Sequence, residues 1–172
     1  MLLGMISDSH DHEASLEEAF KRFAQRGVTR VLHAGDLCAP FMIDTLDSLA
    51  EKFGIERVDV VFGNIDDRYR TTQRAALAKR VVLHGDLMDD VIGGKHVLMQ
   101  HYPKPARYFW EGGRADLVVF GHTHTRLIEE KQGRFLVNPG EVLGRLGRAS
   151  LVIVDLTHMH VVAVEEWDAQ RL

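Results

Sequence analysis

The sequence holds a single cysteine, Cys38, which rules out an internal disulfide and fits a reducing compartment. It has no apolar run near the ~20 residues of a membrane span. Its start, MLLGMISDSH, turns polar by Ser7 and lacks the basic opening and long apolar stretch of a signal peptide. The expected location is therefore the cytoplasm, with no membrane partner. Positive charge is not in excess either. Lys and Arg number 21 against 25 Asp and Glu, for a net charge of -4, so a nucleic-acid binder working by bulk charge is not indicated. No linker, low-complexity segment or internal repeat divides the chain.

What is present is an ordinary globular composition, 45% hydrophobic and 27% charged. The 172 residues suit one domain over 1–172, long enough to bury a core without staples. The first half alternates strand and helix. Strands are expected at Leu2–Ser7, Val31–His33 and Asp59–Phe62, with helices at Glu13–Arg26 and Phe41–Phe53. After Arg80 strands dominate: Val81–His84, Leu87–Ile92, Val97–Gln100, Asp116–Phe120, Leu127–Lys131, Arg134–Val137, Leu151–Asp155 and His160–Glu166. One short helix is expected at Ala106–Glu111. Alternation giving way to hairpins suggests a mixed α/β or layered two-sheet domain.

Polar residues follow the apolar strands in a regular way. Asp8-Ser9-His10 follows the first, Gly35-Asp36 the second, Gly63-Asn64 the third, His101 the strand Val97–Gln100, and Gly121-His122-Thr123-His124 the strand Asp116–Phe120. The crevice beyond the carboxyl ends of strands is where α/β sheets place ligands. On extended backbone, residues two apart point the same way, so Asp8 can join His10 and His122 can join His124. Asp8, His10, Asp36, Asn64, His101, His122 and His124 are too many donors for one tetrahedral metal. They suit two ions, about 3.5–4 Å apart in hydrolytic sites, sharing a carboxylate. Imidazole and carboxylate without thiolate favour manganese, nickel, iron, zinc or cobalt over calcium. Two divalent ions outweigh the two carboxylates, so an anionic ligand such as phosphate is expected.

The motifs SDSHDH, HAGD, GNID, FGHTH and NPGE, with the isolated His101, occur in the order seen in calcineurin-like metallophosphoesterases. The chain most resembles their small bacterial and archaeal single-domain phosphodiesterases, the YfcE-like branch. The resemblance implies a four-layer α-β-β-α sandwich of two mixed sheets flanked by helices. It implies a dinuclear site, with Asp8, His10 and His124 on one ion, Asn64, His101 and His122 on the other, and Asp36 bridging; Asp36, Asn64 and His101 are carried as catalytic residues too. The activity implied is hydrolysis of a small phosphate ester, more a diester than a monoester, by a metal-bound hydroxide. A non-catalytic scaffold is the alternative, because a retromer subunit with this fold binds proteins. Three departures stand out. Ile65 occupies a position where larger members carry a general-acid histidine, Tyr102-Pro103 replaces a second histidine, and Glu141 replaces a serine. Facing the pocket, Glu141 would repel highly charged monoesters.

Other polar residues have plainer readings. His33 is a core histidine held by backbone, His12 opens the first helix, and Asp66 and Asp67 form a loop turn, with Asp66 at a recurrent family position. HGD at His84–Asp86 is turn chemistry in a hairpin. Lys104 and Arg107 follow His101 and either touch a phosphate or lie on a solvated face, and His158 and His160 lie on the surface. Cys38 is packed rather than reactive. Phe109 and Trp110 are candidates for a homo-oligomer interface.

Overall fold

Strands that are apolar on both faces need cover on both sides, and the first strands of this chain are of that kind. In a computed structural model describing residues 1–172, β1 (Leu2–Ile6) turns Leu3 and Met5 one way and Ile6 the other. The Ile6 face packs on α1 (Glu13–Gln25) through Leu16, Phe20 and Phe23, and on α2 (Met42–Phe53) through Ile43 and Leu46. The Leu3 face packs on a second sheet through Val97, Met99, Leu117, Val119 and Val137. That second sheet buries Leu98, Val118 and Leu136 beneath Ala106 and Trp110 of α4 (Pro103–Glu111). Three apolar interfaces make four layers, as the resemblance implied.

The first sheet runs β11-β10-β1-β2-β3-β4. β1, β2 (Arg30–His33), β3 (Arg57–Val60) and β4 (Val81–Leu83) are parallel, and β10 (Ala149–Asp155) and β11 (His160–Trp167) extend it antiparallel. The second runs β5 (Met88–Ile92), β6 (Lys95–Met99), β7 (Leu117–Val119), β9 (Arg134–Asn138), β8 (Leu127–Lys131). Here β6, β7 and β9 are parallel. The carboxyl ends of both parallel sets open on one edge of the sandwich.

Two expectations need correction. Val81–His84 and Leu87–Ile92 do not form a hairpin: β4 belongs to the first sheet and β5 to the second. The HGD segment is the crossing between sheets, with Gly85 and Asp86 in a turn as expected and His84 bonded to Asp59 at 2.7 Å. Phe109 and Trp110 are also less exposed than the interface reading assumed. Trp110 is buried, donating from Nε1 to the Arg134 carbonyl at 3.2 Å, and Phe109 packs on the same cluster. One element went unanticipated, α3 (Arg68–Ala75), whose sole buried residue is Thr71. No helix is long and apolar enough to cross a membrane.

Candidate metal centre

The strand ends bring all seven predicted residues together. His10 Nε2 and His124 Nε2 lie 3.2 Å apart, and His124 Nε2 lies 3.4 Å from Asp8 Oδ1. Donor atoms of Asp8, His10, Asp36 and His124 all fall within 4.8 Å of one another. On the other side, Asn64 Oδ1 faces His101 Nε2 at 3.0 Å and His122 Nδ1 at 2.7 Å. Asp36 belongs to both groups, with Oδ2 3.9 Å from His10 Nε2 and 3.5 Å from His101 Nε2.

The residues converge by a route other than the one expected. Asp8, His10, Asp36, His122 and His124 all have φ between 45° and 69°, in the left-handed region. The pairs do not share a side by extended alternation; each sits in a tight turn. For a residue with a Cβ that conformation costs about 1–2 kcal/mol, and it recurs at functional sites where neighbours over-determine it. Those neighbours are visible. Asp8 N donates to Gly35 O (3.0 Å), His10 N to Asp36 O (3.1 Å) and Leu143 N to Asp8 O (3.1 Å). Two glycines allow close approach: a Cβ on Gly63 would stand 2.0 Å from Asp36 Oδ1, and one on Gly121 would stand 2.0 Å from Ser7 Oγ.

The imidazoles are oriented for coordination. His101 Nδ1 donates to the Ala34 carbonyl at 2.8 Å, which leaves Nε2 as a lone pair toward Asp36. His124 Nδ1 meets Glu141 Oε2 at 2.7 Å, so its Nε2 faces Asp8. His10 Nδ1 meets Cys38 Sγ at 3.4 Å. Anchoring one ring nitrogen by an acceptor is how metal-ligating histidines are held.

Charge points the same way. Asp8 and Asp36 are both buried, and their only charged partners within 4 Å are imidazoles. Burial pushes the Asp8 carboxyl up, against the pull of His101 and His124. Burial acts on Asp36 likewise, but His101, when its Nε2 is also protonated, bonds and attracts it and holds it below the usual carboxylate range. Buried carboxylates with no fixed cation nearby are costly. A set of imidazoles, carboxylates and one amide oxygen around them fits divalent metal ions.

Several residues read as loop or core are parts of the frame. Asp66 accepts from Gly63 N (2.6 Å), Asp36 N (3.2 Å) and Cys38 N (2.8 Å), tying two strand-end loops together. Asn138 donates to Gly121 O and Thr123 Oγ1 and accepts from Gly140 N, which fixes the FGHTH turn. Glu141 does not face the pocket. It is buried, bonded to His124, and accepts from Leu146 N and Gly147 N (2.5 and 3.0 Å). The motif strings NPGE and GNIDD were the only signals for these roles.

The remaining polar residues fall as follows. Burial, then the nearby His101, depresses His33 to about 3, and it is satisfied by Ser9 Oγ and Gly35 N. His12 caps α1 by accepting from Ser15 N, and Asp67 caps α3. Arg107 pairs with Glu129. His158 is exposed and pairs with Asp155. The Cys38 thiol is pushed up to about 12, by burial and then by Asp11, Asp66, Asp36 and Asp8, so it is unreactive although it touches His10.

Comparison with known proteins agrees with the geometry. The model of the calcineurin-like phosphoesterase superfamily domain matches residues 1–159. A phosphodiesterase of Methanocaldococcus jannaschii is 27% identical over 90% of this chain and 93% of its own. A probable metallophosphoesterase of Methanothermobacter thermautotrophicus is 33% identical, covering 90% and 85%. Among solved structures, an archaeal phosphodiesterase superposes with a TM-score of 0.84 at 25% identity, covering 97% of this chain and all of the other. Vps29 from Entamoeba histolytica, at 22% identity and a TM-score of 0.65 over 98% and 99% of the two chains, shares the fold. By fold, motif order and family match, this chain belongs to the calcineurin-like phosphoesterase superfamily.

Proposed function

We propose that the chain is a metal-dependent phosphodiesterase whose seven clustered donors hold two divalent ions. Asp8, His10 and His124 would hold one, Asn64, His101 and His122 the other, and Asp36 both. The observation that carries this is the shared position of Asp36 Oδ2, within 3.9 Å of His10 on one side and 3.5 Å of His101 on the other. Manganese, nickel, iron, zinc and cobalt all suit such donors. Bound ions of this kind polarise phosphate oxygens and lower the pKa of an attacking water.

The chain's own residues prepare that chemistry. The carbonyl of Ala34 and the carboxylate of Glu141 fix the tautomers of His101 and His124, so their lone pairs are aimed before any ligand arrives. Asn64 contributes a neutral oxygen, which keeps the site's net charge positive once two ions are bound. Ile65, exposed beside Asp36, offers no proton to a leaving group, so esters with good leaving groups are expected to react fastest. Two relatives named phosphodiesterases support a diester as the substrate class.

The test is Asp36→Asn, read by metal content and by hydrolysis of bis(p-nitrophenyl) phosphate. The variant is expected to lose at least one ion per chain and nearly all turnover. Full activity with two ions retained would overturn the assignment.

A further inference from the structure

Two depressions flank the cluster, and they differ in chemistry. The one beside His124 is polar, bordered by Arg126, Gly147, Arg148 and Glu166. The one beside His122 is a cavity of about 420 Å³ walled by Tyr102, Pro103, Lys104, Pro105 and His122. It is apolar apart from the Lys104 ammonium.

Its position at a helix start would ordinarily favour an anion, because the first turn offers free N–H groups. Here α4 begins with Pro103, and Pro105 follows two residues later. Both lack that donor, and Ala106 N is already spent on Tyr102 O. The helix start therefore offers one free N–H, that of Lys104, and otherwise aliphatic ring surface. Above it stands Tyr102, 40% exposed. Its backbone N donates to Gln100 Oε1 at 2.8 Å, and Gln100 Nε2 donates back to its carbonyl. Its ring meets His101 edge-on at 5.3 Å and tilts against His122 at 5.1 Å. The shelf is thus rigid, exposed, and joined to the donor cluster through His122, which serves both.

We propose that this shelf seats a flat aromatic substituent of the substrate, aryl or nucleobase-like, against Tyr102 while the phosphate lies on the donor cluster. Lys104 also borders the cavity and adds a positive charge to its wall. The proposal rests on the phosphodiesterase reading and narrows it to esters carrying an aromatic group on the His122 side. Stacking on a held aromatic side chain is worth about ten-fold in affinity.

Calorimetric binding of phenylphosphonate and methylphosphonate to manganese-loaded protein tests this without turnover, because the C–P bond is not hydrolysed and each probe carries one phosphoryl group and one substituent. Phenylphosphonate is expected to bind about ten-fold tighter. Tyr102→Ala should bring the ratio of the two close to one, and Tyr102→Phe should keep it, since the ring and not the hydroxyl makes the seat. A ratio near one in the parent, a ratio unchanged in Tyr102→Ala, or equal weakening of both probes would each overturn the shelf. Failure of both phosphonates to bind the parent would overturn the shelf, and loss of bis(p-nitrophenyl) phosphate hydrolysis by the same protein would sink the phosphodiesterase reading as well.

Discussion

At the scale of single residues, the site is built from conformations that side chains normally avoid. Left-handed Asp and His are less costly than most residues in that region, and the donors the chemistry needs are also residues the turns tolerate. Glu141 shows how a neighbour secures such a donor. It bonds the ring of His124 and two N–H groups of the 146–147 loop, while shielded from solvent. Glu141→Gln keeps an acceptor for the loop but cannot accept the imidazole proton as a carboxylate does. It should weaken metal binding roughly 10–100-fold with little change in the melting temperature of the metal-free protein. Glu141→Ala strands two N–H groups at about 1–3 kcal/mol each, so it should lower both. Metal titration beside calorimetry separates the two effects, and equal metal affinity in parent and Glu141→Gln would refute the role given to the carboxylate.

At the scale of elements, apolar runs ending in Asp, Asn or His were plain in the sequence, because a strand buried on both faces has to announce where it stops. The helix α3 was not. Its residues RYRTTQRA offer no apolar face, and it is held by the Asp67 cap and an Arg74–Asp44 pair. Nor was the lacing of the loops legible, since hydrogen bonds between distant turns leave no local pattern. Asp66 is the clearest instance. It looked like turn chemistry, but its three backbone bonds join the loop after β2 to the loop after β3. Asp66→Asn replaces one accepting oxygen by a donor that opposes an N–H. A loss of about 2 kcal/mol is expected, hence roughly 4–8 °C in melting temperature for a chain of this size. Amide exchange at Gly63 and Cys38 should quicken in step. A melting temperature and exchange pattern matching the parent would show that the tie carries no load.

At the scale of the whole molecule, the two sheets are joined by more than the apolar layer between them. Asp59 sits in β3 on the face turned toward the second sheet, opposite the face of Val58 and Val60. It is fully buried and takes Arg30 Nε (2.7 Å), Arg57 Nε (2.8 Å) and His84 Nε2 (2.7 Å). Arg30 then reaches Asp90 of β5 at 2.9 Å, so the network crosses from sheet to sheet beside the β4–β5 passage. Burial alone would raise the Asp59 carboxyl, but the bonds from His84, Arg57 and Arg30 outweigh it and bring it to about 2. A carboxyl depressed below its unfolded value of about 3.9 adds stability above that pH, here on the order of 2–3 kcal/mol, and loses it as pH falls toward the folded value. The parent should therefore lose stability between about pH 4 and pH 2. Asp59→Asn should be weaker at pH 7 by about 3 kcal/mol, since it removes the buried carboxylate that Arg30, Arg57 and His84 share and leaves only Arg30 paired, with Asp90, and should show a shallower slope across that acid window. Urea unfolding at pH 7, 4, 3 and 2 measures both quantities. If the variant's acid slope equals the parent's, the staple between the sheets is not what acid removes, and the apolar layer holds them alone.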